Sequence, residues 1–354
     1  MVIHITFNLW SLKEYCLRDD IFSNHFELLL KPEMNRSVIK ILLLVPLLVF
    51  ILTNLKGQAC CSAGSPLLGS LEVSNVYRGE LQIGLTYELN VLNDVYSGST
   101  RLDDDFRERT VNSFILEANY GLSERFSVST LFTFINQSRN ISTYGNLSSN
   151  LNTSGLSDGV VLLKYNIVPL DFISQFELSI GGGLKLPIGN STLLSGGILI
   201  PADMQPGSGS WDGILWGYVS KGFVPVIPLN IFLNVSYRTN GTNNRFGESF
   251  QQGYSFGNEL FINLGAGYRT DTFFDFTLML RYRNTTKDSF DGAEVPNTGG
   301  NWLYMVPGIN GKLSDHITAR LSGQLPVYRI LSGTQLTTTY TASLGIIYNI
   351  NLIE

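Results

Sequence analysis

The chain has 354 residues, with 24 Lys and Arg against 29 Asp and Glu and a formal net charge of −5 at pH 7. Charged residues make up 15%, below the about 25% of soluble domains, and no basic cluster with interleaved aromatics exists, which leaves nucleic-acid binding without a basis. Three cysteines are too few for a disulfide scaffold.

Residues 1–33 lack leader character and read as an over-extended gene start. Met34 opens a signal peptide, 34–59: a basic stretch from Arg36 to Lys40, an apolar core from Ile41 to Leu52, and small residues around Gly57-Gln58-Ala59. That core is shorter than the roughly 20 residues a spanning helix needs. Cleavage after Ala59 leaves Cys60 first, beside Cys61. Cys60 is therefore a candidate for lipidation, although Gly57 and Gln58 depart from the lipoprotein pattern. Adjacent cysteines form at best a strained bridge. A short periplasmic segment, 60–76, is expected before a barrel at 77–354.

From Tyr77 onward the chain alternates apolar and polar residues in short runs. In the first, Glu80, Gln82, Gly84, Thr86, Glu88 and Asn90 share one parity, and Leu81, Ile83, Leu85, Tyr87, Leu89 and Val91 the other. Successive strand side chains point to opposite faces, so the segment has one apolar and one wet face. Similar runs follow near Val111–Leu122, Phe126–Ile135, Asp158–Asn166, Phe172–Leu186, Trp211–Lys221, Leu229–Arg238, Tyr254–Arg269, Phe273–Asn284, Trp302–Lys312, Ile317–Val327 and Leu336–Leu352. Connectors near 92–109, 136–156, 188–210, 239–252 and 285–300 are long and polar. Those near 121–125, 167–171, 222–228, 270–272 and 313–316 are short. Alternating apolar strands with short periplasmic turns and long outer loops describe a transmembrane antiparallel up-and-down β-barrel in the bacterial outer membrane. About 12 strands and periplasmic termini are expected. A soluble β-sandwich fits less well, because its loops have no reason to alternate in length.

On the apolar parity, Tyr87, Tyr120, Tyr165, Tyr237, Tyr268, Tyr282 and Tyr348 are expected at the membrane interface as one girdle, where an apolar ring with a wet tip is at home. The opposite parity names lumen candidates: Glu80, Glu88, Glu117, Lys164, Glu177, Lys185, Arg238, Glu259, Arg269, Asp275, Arg281, Arg283 and Arg320. A charged, water-filled pore biased toward anions by Arg281, Arg283 and Arg320 and a lumen filled by salt bridges both fit these residues. So does a lateral route through the wall at glycine-rich places such as Gly181-Gly182-Gly183 or Gly265 and Gly267, where bulges would form; such glycines also permit close strand packing.

Enzymatic readings are poor. Outside the leader region the only histidine is His316, and Ser314-Asp315-His316 cannot form a triad along one strand. Leu313-Ser314-Asp315-His316-Ile317 parallels Leu122-Ser123-Glu124-Arg125-Phe126, which marks His316 as a turn residue. No zinc site is recognisable and no cofactor is implied. Asp103, Asp104 and Asp105 read as a solvated loop tip rather than a Ca²⁺ site.

Several phrases are similar to a known bacterial family: Gly155-Leu156-Ser157-Asp158-Gly159 leading to Leu163-Lys164-Tyr165, Gly183-Leu184-Lys185-Leu186-Pro187-Ile188-Gly189, Pro206-Gly207-Ser208-Gly209-Ser210-Trp211-Asp212, and Leu321–Tyr328 followed by Gly333-Thr334-Gln335-Leu336. They resemble the outer-membrane proteins labelled MetA-pathway of phenol degradation, often described as transporters. The resemblance implies passive passage of small molecules, aromatic or hydrophobic ones among them; the barrel pattern itself implies outer-membrane lipid and the barrel-assembly machinery as partners. One departure is the terminus, Leu352-Ile353-Glu354, where such barrels often end on an aromatic residue. The alternative expectation is a closed structural or adhesive barrel whose outer loops bind a partner.

Overall fold

The computed structural model describes residues 76–143, 147–171, 173–224, 226–247, 251–270 and 273–352. The leader, Cys60 and the terminal Ile353-Glu354 lie outside them.

Twelve antiparallel strands close into a barrel. They are β1 (Glu80–Leu92), β2 (Arg107–Gly121), β3 (Phe126–Thr143), β4 (Gly159–Val168), β5 (Phe176–Leu186), β6 (Asp212–Gly222), β7 (Leu229–Thr239), β8 (Glu259–Tyr268), β9 (Phe274–Thr285), β10 (Gly300–Lys312), β11 (Ile317–Leu331) and β12 (Tyr340–Asn351). Each strand pairs with the next, and β1 closes the ring on β12 from Glu80↔Asn351 to Val91↔Tyr340. The shortest have 10 residues, enough to cross a bilayer when tilted, which takes about 9–11.

The period-2 pattern orients every strand. Leu85, Leu116, Leu163, Leu215, Leu264, Leu280, Leu325 and Leu344 all face outward and exposed. A barrel-wide apolar exterior of this extent is untenable in water and satisfied by lipid. The expected tyrosines lie on this outward parity, but the strand directions divide them. Tyr120, Tyr165, Tyr268 and Tyr348 lie toward the short-turn end; Tyr87, Tyr237 and Tyr282 lie in the half nearer the long loops. The expectation that they share one end is therefore corrected: four lie toward one end and three toward the other. Parity is set along a strand, whereas height depends on strand direction, which reverses at every turn.

The turns at the short end are as tight as the sequence suggests. Ser123 Oγ accepts hydrogen bonds from the N–H groups of Arg125 and Phe126, at 3.3 and 3.0 Å. Ser314 Oγ repeats this with His316 and Ile317, at 3.3 and 3.1 Å. The start of β1 and the end of β12 meet at the same end, where Leu352 N–H donates to the Gly79 carbonyl at 2.8 Å.

At the opposite end the connectors are structured rather than simply solvated. Strand β3 runs well past the barrel rim and pairs with Leu147–Leu156 in a projecting hairpin. This hairpin returns through Ser157-Asp158 into β4. Segments Asp94–Ser97, Thr100–Leu102 and Thr334–Thr337 form one small sheet, and Asn243–Phe246, Gln252–Ser255, Ser289–Phe290 and Ala293–Glu294 form another. The connector between β5 and β6 carries a two-stranded ribbon and a short 3-10 turn, Ala202–Met204. Met204, Gln205 and Ser208 of this connector are buried.

Candidate functional site

The barrel interior divides into layers. Nearest the long loops, alternating charges climb from strand to strand. Asp158, at the entrance to β4, meets Lys185 Nζ of β5 at 3.0 Å, and Lys185 meets Asp212 of β6 at 2.6 Å. Arg238 of β7 lies 4.0 Å from Asp212 and 2.5 Å from Glu259 of β8. Glu259 also receives Arg283 of β9, with Nη2 at 2.6 Å and Nε at 2.7 Å. All six side chains are buried. Lys185 and Asp212 face each other in register, as do Arg238 and Glu259, so each strand supplies the charge its neighbour needs. Three carboxylates against three cations leave this ladder neutral, the condition under which buried charges are tolerated.

Deeper in the same sector, an aromatic layer fills the interior. Trp216 and Tyr218 stack at 5.9 Å, and Tyr218 and Phe232 at 6.3 Å. Lys164 Nζ sits 4.6 Å above the Trp216 ring, within Coulombic reach of Glu117 and Glu177. Gly181 makes this contact feasible: it pairs with Lys164 on one side and Trp216 on the other. A Cβ there would lie 2.9 Å from the Leu163 carbonyl and 3.3 Å from the indole. Gly265 similarly lies beneath the Phe232 ring. These glycines serve close packing, as one of the two expectations had it. Arg283 continues the layer, over Trp302 at 5.1 Å and Phe261 at 5.6 Å.

The other side of the interior is wetter. Gln82, Thr86, Glu88 and Asn90 of β1, Glu117 of β2, Arg320, Ser322 and Gln324 of β11 and Ser343 and Asn349 of β12 all point inward yet keep partial solvent exposure. They are joined by polar contacts. Arg281 donates to Gln324 at 2.6 Å, Arg320 to Asn310 at 3.0 Å, Ser343 to Glu88 at 3.2 Å and Gln82 to Asn349 at 3.0 Å. A partly exposed polar lane thus runs along the β11–β12–β1–β2 wall, beside a filled sector.

The lumen candidates sort accordingly. Lys185, Arg238, Glu259 and Arg283 belong to the ladder; Lys164 and Glu177 to the layer below it. Glu80, Glu88, Glu117 and Arg320 have inward parity and partial exposure. Arg281 is buried and hydrogen-bonded to Asn263 as well as Gln324. Asp275 points inward near the short-turn end, 3.8 Å from Lys312. Arg269 is a correction: it follows the last residue of β8 in the short connector and is exposed, because the strand ends one residue before the alternation would place it inside. The suggested row of Arg281, Arg283 and Arg320 also separates, since Glu259 neutralises Arg283.

Sequence reasoning missed the inward aromatics Trp216, Tyr218, Phe232, Phe261, Trp302 and Tyr304. None of these carries a formal charge, the feature that marks a lumen residue in the sequence. It also missed Asp158 and Asp212, although both stand in the quoted family phrases. A carboxylate at the loop-side end of a strand, facing a cation one strand away, was the available signal. His316 is exposed in its turn, 6.3 Å from the Tyr348 ring. Asp104 is engaged by Arg107 and accepts the Phe106 N–H at 2.9 Å.

The inserted connector closes over these layers. Arg109 of β2 holds Asp203 at 3.0 Å through Nη1 and donates through Nη2 to the Asp203 carbonyl at 2.6 Å. Gln137 and Thr153 donate to the Met204 carbonyl at 2.8 and 2.7 Å. Above β8 and β9, Asp288 is buried and accepts the Tyr254 hydroxyl at 2.7 Å and the Gly257 N–H at 2.8 Å. Burial pushes its carboxyl up to about 6, with the charge of Asp203 adding to the effect.

No family model and no curated protein matches the chain. Among solved structures, it is similar to the COG4313 outer membrane channel from Pseudomonas putida F1, with a TM-score of 0.64 and 15% identity over 81% of this chain and 99% of that one. The NanC porin aligns over 76% of this chain and 98% of its own, at 12% identity and a TM-score of 0.41. The first likeness establishes the fold as that of an outer-membrane barrel.

Proposed function

We propose that this chain is an outer-membrane channel for the passive passage of small molecules, aromatic or apolar ones among them. The observation that carries this reading is the unequal interior. Charges and rings fill one sector, while the opposite wall keeps a continuous set of partly exposed polar side chains. A barrel meant only as a structural plug has no need of that asymmetry. The aromatic layer beside the lane offers rings to a passing apolar solute. The resemblance to a transporter family and the likeness to a channel structure agree with this reading.

A closed barrel whose outer loops bind a partner is the second reading, favoured by the buried loop residues at the long-loop end. Planar-bilayer conductance of the chain from Cys60 onward, refolded, separates the two. Steady single-channel currents support the channel. Correctly folded barrels that conduct no ions and pass no apolar solute into liposomes refute it and leave the partner-binding reading.

A further inference from the structure

A cavity of about 180 Å³ lies at the long-loop end, among Arg107, Arg109, Arg139, Asp203, Leu92 and Leu336. Its charges do not cancel. Asp104 engages Arg107, and the single carboxylate of Asp203 is shared between Arg109 at 3.0 Å and Arg139 at 3.5 Å. Among the described residues in direct ionic contact here, three guanidinium groups meet two carboxylates, an excess of one positive charge. Two donors are also unspent: among the described residues, Nε of Arg109 and Nε of Arg139 are buried and have no hydrogen-bond partner. Arg109 is itself only 4% exposed, so water does not readily satisfy it. A buried donor without an acceptor costs free energy, and guanidinium edges match carboxylates in geometry as well as charge.

We infer that this cavity is a binding site for a compact monocarboxylate, whose head takes the excess charge of Arg109 and Arg139 and whose apolar body lies against Leu92 and Leu336. The inference deepens the channel reading and rests on it only for the step from binding to uptake. Asp203 is the tethered competitor for the same two guanidinium groups. Its backbone carbonyl, and that of Met204, stay anchored by Arg109 and Gln137. Displacing the Asp203 side chain therefore does not require the connector to leave the barrel.

The two acidic and basic partners predict opposite effects. Valerate is titrated into the refolded barrel by calorimetry and saturation-transfer NMR, with valeramide as the neutral isostere and inorganic phosphate as the charge without an apolar body. Valerate is expected to bind, and valeramide and phosphate to bind at least about tenfold more weakly. Arg139→Gln should weaken valerate by about tenfold or more. Asp203→Asn should tighten it, a gain that a merely structural role for Asp203 cannot produce. No valerate binding by the folded wild type, or equal binding of valeramide, overturns the site. So does an Asp203→Asn variant that binds no more tightly than wild type while its folding is unchanged. Conductance and liposome uptake of an apolar solute, measured on the same samples, keep the two ideas apart: binding with neither preserves the site and removes the channel, and either one without binding does the reverse.

Discussion

Replacing Glu259 by Gln tests whether the charge ladder is balanced as described. The carboxylate contacts Arg238 at 2.5 Å and Arg283 at 2.6 Å, while the next carboxylate from Arg238, Asp212, is 4.0 Å away. Removing one charge turns three against three into two against three, and the excess lies on buried side chains. At an effective dielectric of about 20, each close pair is worth about 4 kcal/mol. Part of that is returned, because Gln still accepts a hydrogen bond and one desolvated charge is gone. Deleting one partner of a buried pair costs about 3–5 kcal/mol in practice, and that loss is expected here. The assay is reversible guanidinium unfolding of the barrel in lipid, followed by tryptophan fluorescence. Adding Arg283→Met restores neutrality and should recover about half of the loss, through non-additivity between contacting residues. Glu88→Gln, on the partly exposed lane, should cost less than about 1 kcal/mol. A Glu259→Gln loss below about 1 kcal/mol, or a double variant no better than the sum of its parts, refutes the balanced-ladder argument.

Other perturbations address other layers. Leu344→Arg, outward and 55% exposed between Tyr87 and Leu321, should destabilise the barrel in lipid by about 2–4 kcal/mol. Ser343→Arg, one residue away on the lane, should be tolerated, and equal costs would contradict the assignment of faces. Trp216→Ala should cost about 3–5 kcal/mol and raise single-channel conductance, since the ring fills the sector beside the lane; unchanged conductance would count against that. Arg281→Ala, on the edge of the lane, should move the reversal potential in a salt gradient toward cation preference. Asp288 has a pH signature. Its carboxyl, raised to about 6 from an ordinary 3.8, is held protonated more firmly in the folded loop than in the open one. Loop stability is therefore greatest below about pH 4 and falls as pH rises to 6, by up to about 3 kcal/mol for two pH units. Hydrogen exchange at the Gly257 N–H, corrected for its intrinsic pH dependence, should lose protection over that interval, and Asp288→Asn should flatten the profile.

The alternation of Glu80 to Val91 and its repeats already specified a barrel, its strand order and the face of each residue between them. That information is local, because backbone geometry alone sends neighbouring side chains to opposite sides. Loop length was equally legible, since Leu122 to Phe126 and Leu313 to Ile317 carry their own turn chemistry. Height and partnership were not. Tyr120 and Tyr282 share a parity but sit toward opposite ends of the barrel, since chain direction reverses between them. Arg269 has the parity of a lumen residue but lies beyond the end of its strand. Whether Arg283 faces water or Glu259 depends on the register of β8 against β9. The inward turn of the β5–β6 connector rests on Arg109 and Gln137 meeting Asp203 and Met204 across 94 and 67 residues. A period-2 pattern determines which side of a sheet a residue occupies. Only closure of the barrel decides which residues from distant strands and loops meet inside it, and so which part of the lumen is filled and which stays wet.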